Sequence, residues 1–280
     1  MLRYQASGSR LEKGGLRMKK FLALFDLHVG KEYIDTKGKL VLQDTHNERA
    51  IKAVLEFSKD FKPDVLILGG DQINAGPCSH WNHGKPRLVE GFRIKDEMDR
   101  LDELVLTPFE KTLAKKNRKI FLIGNHEVWI RDFVNENPGV EGLVEPENYL
   151  SLTKRKYEIY SQGEIATVGK LNFVHGDVVL GRGGANPATK LVMAYQRNIR
   201  AGHLHTYSAA VLESPVDRQD YHTGVVVPSL STRCPAFIKY NPNKFINGFL
   251  YGYFWSDGFS DEVVIVNKNE FVVGGKKYKG

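Results

Sequence analysis

The sequence predicts an α/β protein in which two β-sheets pack face to face and helices cover their outer surfaces. Short apolar runs alternate with helical patterns in the first half of the chain, and strand patterns dominate from about residue 157. Polar residues that can bind metal ions follow five of the apolar runs. Alternating β and α units favour parallel strands, and a later series of strands supplies a second sheet.

The first elements read as a β-α-β unit. Residues 21–25 form an apolar run typical of a strand buried on both faces, and residues 30–42 indicate a loop or small hairpin. Thr45 and Glu48 match a capping box at the start of a helix. The next strand, at 65–68, follows directly after that helix, so the crossover should be right-handed and the two strands parallel.

A loop and a long helix come next. Residues 74–86 are rich in Gly, Pro, Asn and His, and apolar residues recur at helical spacing over 94–105. Pro108 predicts a break or kink, with a second helical piece reaching about residue 116. The apolar run at 120–123 predicts a third buried strand.

The second half of the chain is richer in strands. A short helix is predicted over 128–135, and another over 187–197 with Asn186 as its cap and Pro at its first position. Gly169-Lys170 predicts a hairpin turn. Strands are predicted at 156–160, 164–168, 171–174, 206–213, 221–227, 248–255, 261–266 and 270–273.

Composition indicates a globular protein of one domain. The chain has 280 residues, 41% of them hydrophobic, and a net charge of +7. Part of that charge lies in residues 1–17, which we expect to be a flexible basic leader ahead of a domain over 18–280. The remaining excess suits an enzyme that acts on phosphates and is poor support for nucleic-acid binding.

Cysteine usage and hydropathy favour a cytoplasmic protein. Cys78 and Cys234 have no metal-binding or redox spacing, so they read as free thiols in a reducing cytosol. The first 17 residues lack the apolar core of a signal peptide, and no stretch reaches the 18 apolar residues of a membrane span. We therefore expect no membrane partner.

Metal-capable residues follow the apolar runs at five places. Five of the nine histidines lie there, more than chance placement would give. Ligands bind beyond the carboxyl ends of strands in open α/β sheets, so these groups should share one site. The five segments are Asp26-Leu27-His28, Gly69-Gly70-Asp71, Gly124-Asn125-His126-Glu127, His175-Gly176-Asp177 and Gly202-His203-Leu204-His205.

In this order the five segments resemble the calcineurin-like metallophosphoesterase superfamily, over roughly residues 19–206. The resemblance implies a four-layer αββα sandwich of two mixed β-sheets with flanking helices, and a dinuclear metal centre at the strand ends. It implies one cation held by Asp26, His28, Asp71 and His205, and another held by Asp71, Asn125, His175 and His203. The catalytic residues are then His126, Asp71 and Asn125, with His126 as the general acid.

The residue types agree with such a centre. Two divalent cations about 3.5 to 4 Å apart repel each other and need an anionic bridge, which Asp71 can supply. The reaction expected is hydrolysis of a phosphate ester by a metal-bridging hydroxide, while His126 protonates the leaving group. Imidazole, carboxylate and amide ligands suit first-row cations and leave the identity of the metal open. We expect two Mn²⁺ ions, with Fe, Zn²⁺, Co²⁺ and Ni²⁺ as alternatives.

Three residues are candidates for substrate contacts. His80 and Trp81 lie in the loop after Asp71, where they could close over a substrate or pack on the following helix. Arg182 lies in a glycine-rich loop and could bind phosphate or form a solvated turn. Asp177 and Glu127 are expected to orient metal ligands or cap turns. Mixed aromatic and basic residues over 235–253 could form a nucleic-acid platform or contribute to the core.

The function predicted is that of a metal-dependent phosphoric ester hydrolase, a phosphatase or phosphodiesterase acting on nucleotides or other small phosphates. Segments 79–81 and 85–91 add a similarity to small phosphoesterases of bacteriophages and prophages. Asn74 stands where many relatives have Asp, which weakens a protein-phosphatase interpretation. Two alternatives stay open: a DNA exonuclease or endonuclease, and a non-catalytic scaffold whose metal site binds a protein partner. Sequence leaves the substrate and the oligomeric state open.

Overall fold

The computed structural model describes residues 18–114, 116–181, 186–213, 221–238 and 243–280. The predicted basic leader at 1–17 and the candidate residue Arg182 lie outside these described residues. Within them, no helix has the length and apolar character that a membrane span requires.

Strands and helices alternate up to β5 and strands dominate at the end of the chain, as predicted. The strands are β1 (Lys19–Leu24), β2 (Lys31–Thr36), β3 (Lys39–Asp44), β4 (Val65–Leu68), β5 (Arg118–Leu122), β6 (Tyr157–Tyr160), β7 (Ala166–Val168), β8 (Leu171–Val174), β9 (Ile199–Ala201), β10 (Ser208–Glu213), β11 (Tyr221–Val226), β12 (Asn247–Phe254), β13 (Phe259–Val266), β14 (Glu270–Val273) and β15 (Lys276–Lys279). The α-helices are α1 (Glu48–Phe61), α2 (Ile94–Leu101), α3 (Thr107–Glu110), α4 (Asn125–Glu136), α5 (Pro146–Tyr149), α6 (Asp177–Leu180) and α7 (Pro187–Tyr195).

The strands form two large mixed sheets and two small hairpins. The first sheet has six strands in the order β13-β12-β1-β4-β5-β6, and the second has five in the order β10-β11-β9-β8-β7. Strand β1 is parallel to β4, which confirms the predicted parallel pairing, and β12 joins the other side of β1 antiparallel. A loop or a small hairpin was predicted for residues 30–42, and the antiparallel pairing of β2 with β3 shows that the hairpin forms.

Alternating side chains of the first sheet enter two different cores. In β1, Leu22 and Leu24 face the core shared with helices, whereas Phe21 and Ala23 face the second sheet. Side chains of β4 and β5 alternate in the same way, because successive residues of a strand point to opposite faces. A third core lies between the second sheet and helices α6 and α7. The molecule is therefore a four-layer αββα sandwich, as the resemblance implied.

The predicted starts of two helices were wrong. Thr45 does not cap α1, because its hydroxyl donates to the His28 carbonyl at 2.6 Å. Asn47 caps the helix instead by accepting the Ala50 N–H at 3.1 Å. Helix α4 begins at Asn125 rather than at 128, so the predicted ligand Asn125 and the predicted acid His126 lie in its first turn.

The long helix after residue 94 also differs from the prediction. Its irregularity precedes Pro108, since residues Asp102–Leu106 form a π-helical segment between α2 and α3. Pro108 itself is the second residue of α3, which follows the π-helical segment without a break. Helix α3 ends at Glu110, short of the predicted 116. The sequence pattern also missed β15 and the single-turn helices α5 and α6.

Candidate metal centre

Five strand ends bring the predicted ligands to one edge of the sandwich. Strands β1, β4 and β5 run parallel in the first sheet, as do β8 and β9 in the second. Backbone hydrogen bonds tie the loops that follow them. Asp26 N–H donates to the Gly70 carbonyl at 3.1 Å. Gly202 N–H donates to the His175 carbonyl at 2.9 Å.

Most of the predicted ligands have a left-handed backbone. The φ angle is 51° at Asp26, 48° at His28 and 52° at Asp71. It is 68° at His203 and 54° at His205. Non-glycine residues seldom adopt this conformation, and such strain persists where surrounding contacts enforce it, often at functional sites. The concentration of these turns at the strand ends supports a functional site there.

One group of candidate ligands consists of Asp26, His28 and His205. The Nε2 atoms of His28 and His205 are 3.0 Å apart. The Oδ1 atom of Asp26 lies 3.6 Å from His205 Nε2 and 4.0 Å from His28 Nε2. Three ligand atoms thus converge within a space that one cation could fill.

A second group consists of Asp71, His175 and His203. The Nε2 atom of His175 lies 3.3 Å from Asp71 Oδ2 and 3.2 Å from Asn125 Oδ1. Asp71 Oδ2 is also 3.8 Å from His28 Nε2, in the first group. The carboxylate of Asp71 therefore lies between the two groups, as a bridging ligand would.

The donor set fits divalent cations. Asp26 Oδ1 is fully buried and has no hydrogen-bond partner among the described residues, whereas Oδ2 accepts the His203 N–H at 2.8 Å. A buried carboxylate oxygen without a partner is costly, and a cation would satisfy it. Glycines leave room for both carboxylates. A Cβ atom at Gly124 would lie 2.2 Å from Asp71 Oδ1, and one at Gly202 would lie 2.2 Å from Asp26 Oδ2.

Backbone carbonyls orient two of the histidines. His175 Nδ1 donates to the Gly69 carbonyl at 3.0 Å, which leaves Nε2 facing Asp71. His203 Nε2 donates to the Gly181 carbonyl at 2.9 Å, which leaves Nδ1 for a metal ion. Asp177 does not orient His175, contrary to one of the expectations, because it lies in the first turn of α6 and bonds to Gln162.

Glu127 anchors the loop that carries Asp71. This side chain is fully buried. Its Oε2 atom accepts the N–H groups of Asp71 and Gly124, both at 2.9 Å. Its Oε1 atom accepts the Gln72 N–H at 2.8 Å. One carboxylate thus connects the end of β4 to the start of α4.

We expect Glu127→Gln to weaken metal binding by roughly 10- to 100-fold, as loss of groups that orient metal ligands typically does. The amide NH₂ of glutamine would face backbone N–H groups that now donate to an oxygen. Isothermal titration with Mn²⁺ measures the change, and circular dichroism shows whether the variant folds. Glu136→Gln, an exposed substitution in the same helix, is the matched control. Unchanged affinity in a folded Glu127→Gln protein would contradict this role.

His126 faces the same centre from the first turn of α4. Its Nδ1 atom donates to the Asn74 carbonyl at 2.6 Å, and its Nε2 atom lies 3.8 Å from Asp71 Oδ2. The ring packs against Trp129 in a tilted arrangement, with centroids 3.8 Å apart. The hydrogen bond to Asn74 leaves Nε2 free to exchange a proton with a ligand in front of the cluster.

Glu97 stabilises the turn that holds His126. Ala75 has a left-handed backbone with φ 50° and donates its N–H to Glu97 Oε2 at 2.6 Å. The preceding residue, Asn74, carries the carbonyl that His126 contacts. The Glu97 side chain is buried, and burial raises its pKa to about 8. The acid is therefore mostly protonated in the folded protein at neutral pH.

Glu97 should make the metal-free protein less stable as pH rises. The folded state binds this proton more strongly than the unfolded state, so the contribution to stability is complete below about pH 4.5 and is lost as pH rises through about 8. Glu97→Gln cannot ionise, so its unfolding free energy relative to wild type should increase from pH 5 to pH 8, by on the order of a few kcal/mol. Urea unfolding at several pH values measures this. The exposed Glu141→Gln substitution is the control, and parallel pH profiles for wild type and Glu97→Gln would refute the prediction.

Electrostatics favour the protonation states that cation binding requires at His28 and Asp71. Burial, reinforced by His126 and His205, lowers the pKa of His28 well below its usual value. Burial acts to raise the pKa of Asp71, but the histidines around it, His175 first, hold that pKa well below its usual value. A neutral imidazole and an ionised carboxylate are the forms that bind metal ions. Burial acts to lower the pKa of His175, but the adjacent Asp71 carboxylate raises it well above its usual value, so a cation there must displace a proton.

The candidate substrate residues are placed differently from one another. Trp81 lines a cleft in front of the cluster and is 61% exposed. His80 is not among the described residues that line this cleft, and its ring packs against Trp81 and Trp129 with centroids 4.5 and 5.5 Å away. Of the aromatic residues predicted over 235–253, Phe249 is buried in the core and Phe237 and Phe245 line the cleft.

Comparison with known proteins identifies one matching family. The family model described as calcineurin-like phosphoesterase matches residues 20–217, which is more than half of the chain. No curated protein matches the sequence.

Several solved structures are similar over most of the chain. Vps29 from Entamoeba histolytica, solved in complex with zinc, has 11% identity and a TM-score of 0.41, with 93% of this chain and 97% of that chain covered. Vacuolar protein sorting 29 from Cryptosporidium parvum has 11% identity and a TM-score of 0.44, with coverage of 94% and 96%. The NAD nucleotidase of Haemophilus influenzae has 14% identity and a TM-score of 0.38, with coverage of 92% and 60%.

Proposed function

Because the chain belongs to the calcineurin-like phosphoesterase family, we propose that it is a dinuclear metal-dependent hydrolase of phosphate esters. The observation that carries this proposal is the position of Asp71 between two groups of candidate ligands. Mn²⁺ is the proposed cation among the first-row ions that imidazole nitrogens, carboxylate oxygens and one amide oxygen can bind. One cation would be held by Asp26, His28, Asp71 and His205, and the other by Asp71, Asn125, His175 and His203.

When bound, the two cations would lower the pKa of a water molecule and stabilise negative charge on the phosphoryl oxygens. The protein's own residues supply the other requirements. Asp71 places a negative charge between the two cation positions and reduces their repulsion. His126 donates a proton to the oxygen that leaves phosphorus, and the Asn74 carbonyl holds its ring in place.

The test is hydrolysis by chelator-treated protein to which a single kind of cation is returned. The substrates are p-nitrophenyl phosphate as a monoester, bis-p-nitrophenyl phosphate as a diester, and single-stranded DNA. We expect turnover of at least one of the two small esters that depends on the added cation and is fastest with Mn²⁺. Fe²⁺, Zn²⁺, Co²⁺ and Ni²⁺ in parallel reactions identify the preferred ion.

The remaining interpretations are separate outcomes of the same assay. Digestion of DNA with no turnover of either small ester would favour the exonuclease or endonuclease alternative. Failure of the metal-loaded protein on all three substrates would refute the proposal and favour a scaffold that binds a protein partner.

A further inference from the structure

Aromatic side chains line much of the cleft in front of the metal centre. The cleft has a volume of about 700 Å³ and includes His28, Asp71, Asn125 and His126 in its lining. Its aromatic lining residues are Tyr33, Trp81, Phe92, Trp129, Phe237 and Phe245. We call Trp81 and Trp129 the tryptophan wall, and Phe237 and Phe245 the phenylalanine wall.

Both walls extend from histidines of the centre. Trp129 packs against His126 in a tilted arrangement, with ring centroids 3.8 Å apart and an interplanar angle of 34°. Phe245 lies 4.8 Å from the ring of His205, and Phe237 lies 6.1 Å from Phe245. An ester bound at the metal centre would therefore have aromatic surface directly beside the group attached to its phosphate.

The outer residue of each wall is largely exposed. Trp81 is 61% exposed and Phe237 is 68% exposed, although both are large and apolar. Exposed apolar surface next to a functional centre commonly marks a binding site. Exposed ring faces can stack on a planar ligand, as aromatic side chains do with nucleobases.

The charges in the cleft favour a single nucleotide over a long strand. Among the described residues that line the cleft, Lys31 is the single lysine or arginine. The acidic residue Glu32 lies beside it. Proteins that bind single strands use a basic groove that follows the backbone over several nucleotides. Here the phosphate would be recognised at the metal centre, and the aromatic walls would recognise what the phosphate carries.

We propose that the substrate is a nucleotide, a phosphate ester whose alcohol carries a planar nitrogen heterocycle that stacks on the walls of this cleft. This proposal rests on the proposed phosphoesterase function. Water adds to phosphorus, the bond between phosphorus and the leaving oxygen breaks, and His126 supplies the proton that a departing nucleoside oxygen takes up. In a p-nitrophenyl ester of a nucleotide, p-nitrophenolate leaves and the nucleotide is released. A monoester yields the nucleoside and inorganic phosphate.

The test compares esters that share a reactive centre and differ in the base. Adenosine 5′-monophosphate is paired with ribose 5-phosphate, and the p-nitrophenyl ester of thymidine 5′-monophosphate is paired with methyl p-nitrophenyl phosphate. We expect kcat/KM to be roughly 5- to 150-fold higher for the nucleotide in at least one pair, the range that stacking of one base provides. Quenching of tryptophan fluorescence should show tighter binding of adenosine 5′-monophosphate than of ribose 5-phosphate.

Variants identify the walls as the source of this preference. Trp81→Ala and Phe237→Ala should each lower the ratio within the pair, and Trp81→Phe should retain most of it. Tyr221→Ala, which removes an exposed aromatic side chain outside the cleft lining, should leave the ratio unchanged.

Equal kcat/KM within both pairs would overturn the nucleotide proposal, and so would a single-stranded oligonucleotide that is cleaved faster than either nucleotide. Turnover of p-nitrophenyl phosphate or bis-p-nitrophenyl phosphate in the same preparations keeps the two proposals distinguishable. If either ester is hydrolysed while base and base-free substrates react alike, the phosphoesterase function stands and the nucleotide specificity fails.

Discussion

Replacing Asp71 with alanine should abolish the binding of both cations and lower phosphoesterase turnover by at least about 10³-fold. The Oδ2 atom of Asp71 is 3.3 Å from His175 Nε2 and 3.8 Å from His28 Nε2, so both groups of ligands lose the same oxygen. Two cations without a shared negative charge between them would repel each other strongly. Metal content by mass spectrometry should fall from about two ions per chain to fewer than one.

Asp71→Asn removes the negative charge of the side chain and keeps its shape, so it tests the two contributions separately. Asparagine can still accept the His126 N–H that now donates to Asp71 Oδ1 at 2.9 Å, so the loop should keep its fold. The exposed Asp132→Ala substitution in α4 is the matched control. A folded Asp71→Ala or Asp71→Asn protein that still holds two cations with wild-type affinity would contradict the bridging role.

The strands could be predicted because each is buried for a simple reason. Strands covered on both faces are largely apolar; the run at 65–68 is apolar throughout, and the run at 171–174 is apolar except for Asn172. The candidate ligands could be predicted for a related reason. A histidine or aspartate is unfavourable inside an apolar core. One that directly follows such a run is therefore easily recognised in the sequence as a residue at the strand end.

Helix starts were harder to predict, because capping depends on neighbours that are distant in sequence. Thr45 and Glu48 match a local capping pattern, but the Thr45 hydroxyl bonds to the His28 carbonyl across the first β-α connection. Asn125 was predicted to lie after a strand and ahead of the next helix. It begins α4 because Glu127, in the first turn, accepts the Gly124 N–H and fixes the helix start.

The supporting contacts of the centre had the weakest sequence signal. Carbonyl groups of Gly69, Gly181 and Asn74 orient three histidines, and a backbone carbonyl is present at every residue. Glu97 lies in α2 among other acidic residues, and only the structure shows that it reaches the Ala75 N–H. A sequence pattern that could have identified it is a glutamate on the apolar face of the helix, one residue before Met98.

Replacing His126 with alanine should retain both cations and lower turnover by roughly 10²- to 10⁴-fold for esters with poor leaving groups. Because Nδ1 donates to the Asn74 carbonyl, Nε2 carries a proton only in the imidazolium form. Burial lowers the pKa of His126 in the free protein, and the negative charge of a bound phosphate would favour the protonated form. The proposed acid role requires this charged form when a substrate is bound beside His126.

The decisive measurement for His126 is a series of aryl and alkyl phosphates of increasing leaving-group pKa. A departing p-nitrophenolate needs little help from an acid, so His126→Ala should retain much of its activity on p-nitrophenyl phosphate and lose most on phenyl and alkyl esters. His83→Ala, at an exposed position, is the control and should follow wild type across the series. An equal loss on every ester would mean that His126 does not act as the acid. Loss of one bound cation would instead make His126 a metal ligand, a role that its Nε2 atom, 3.8 Å from Asp71 Oδ2, is close enough to take.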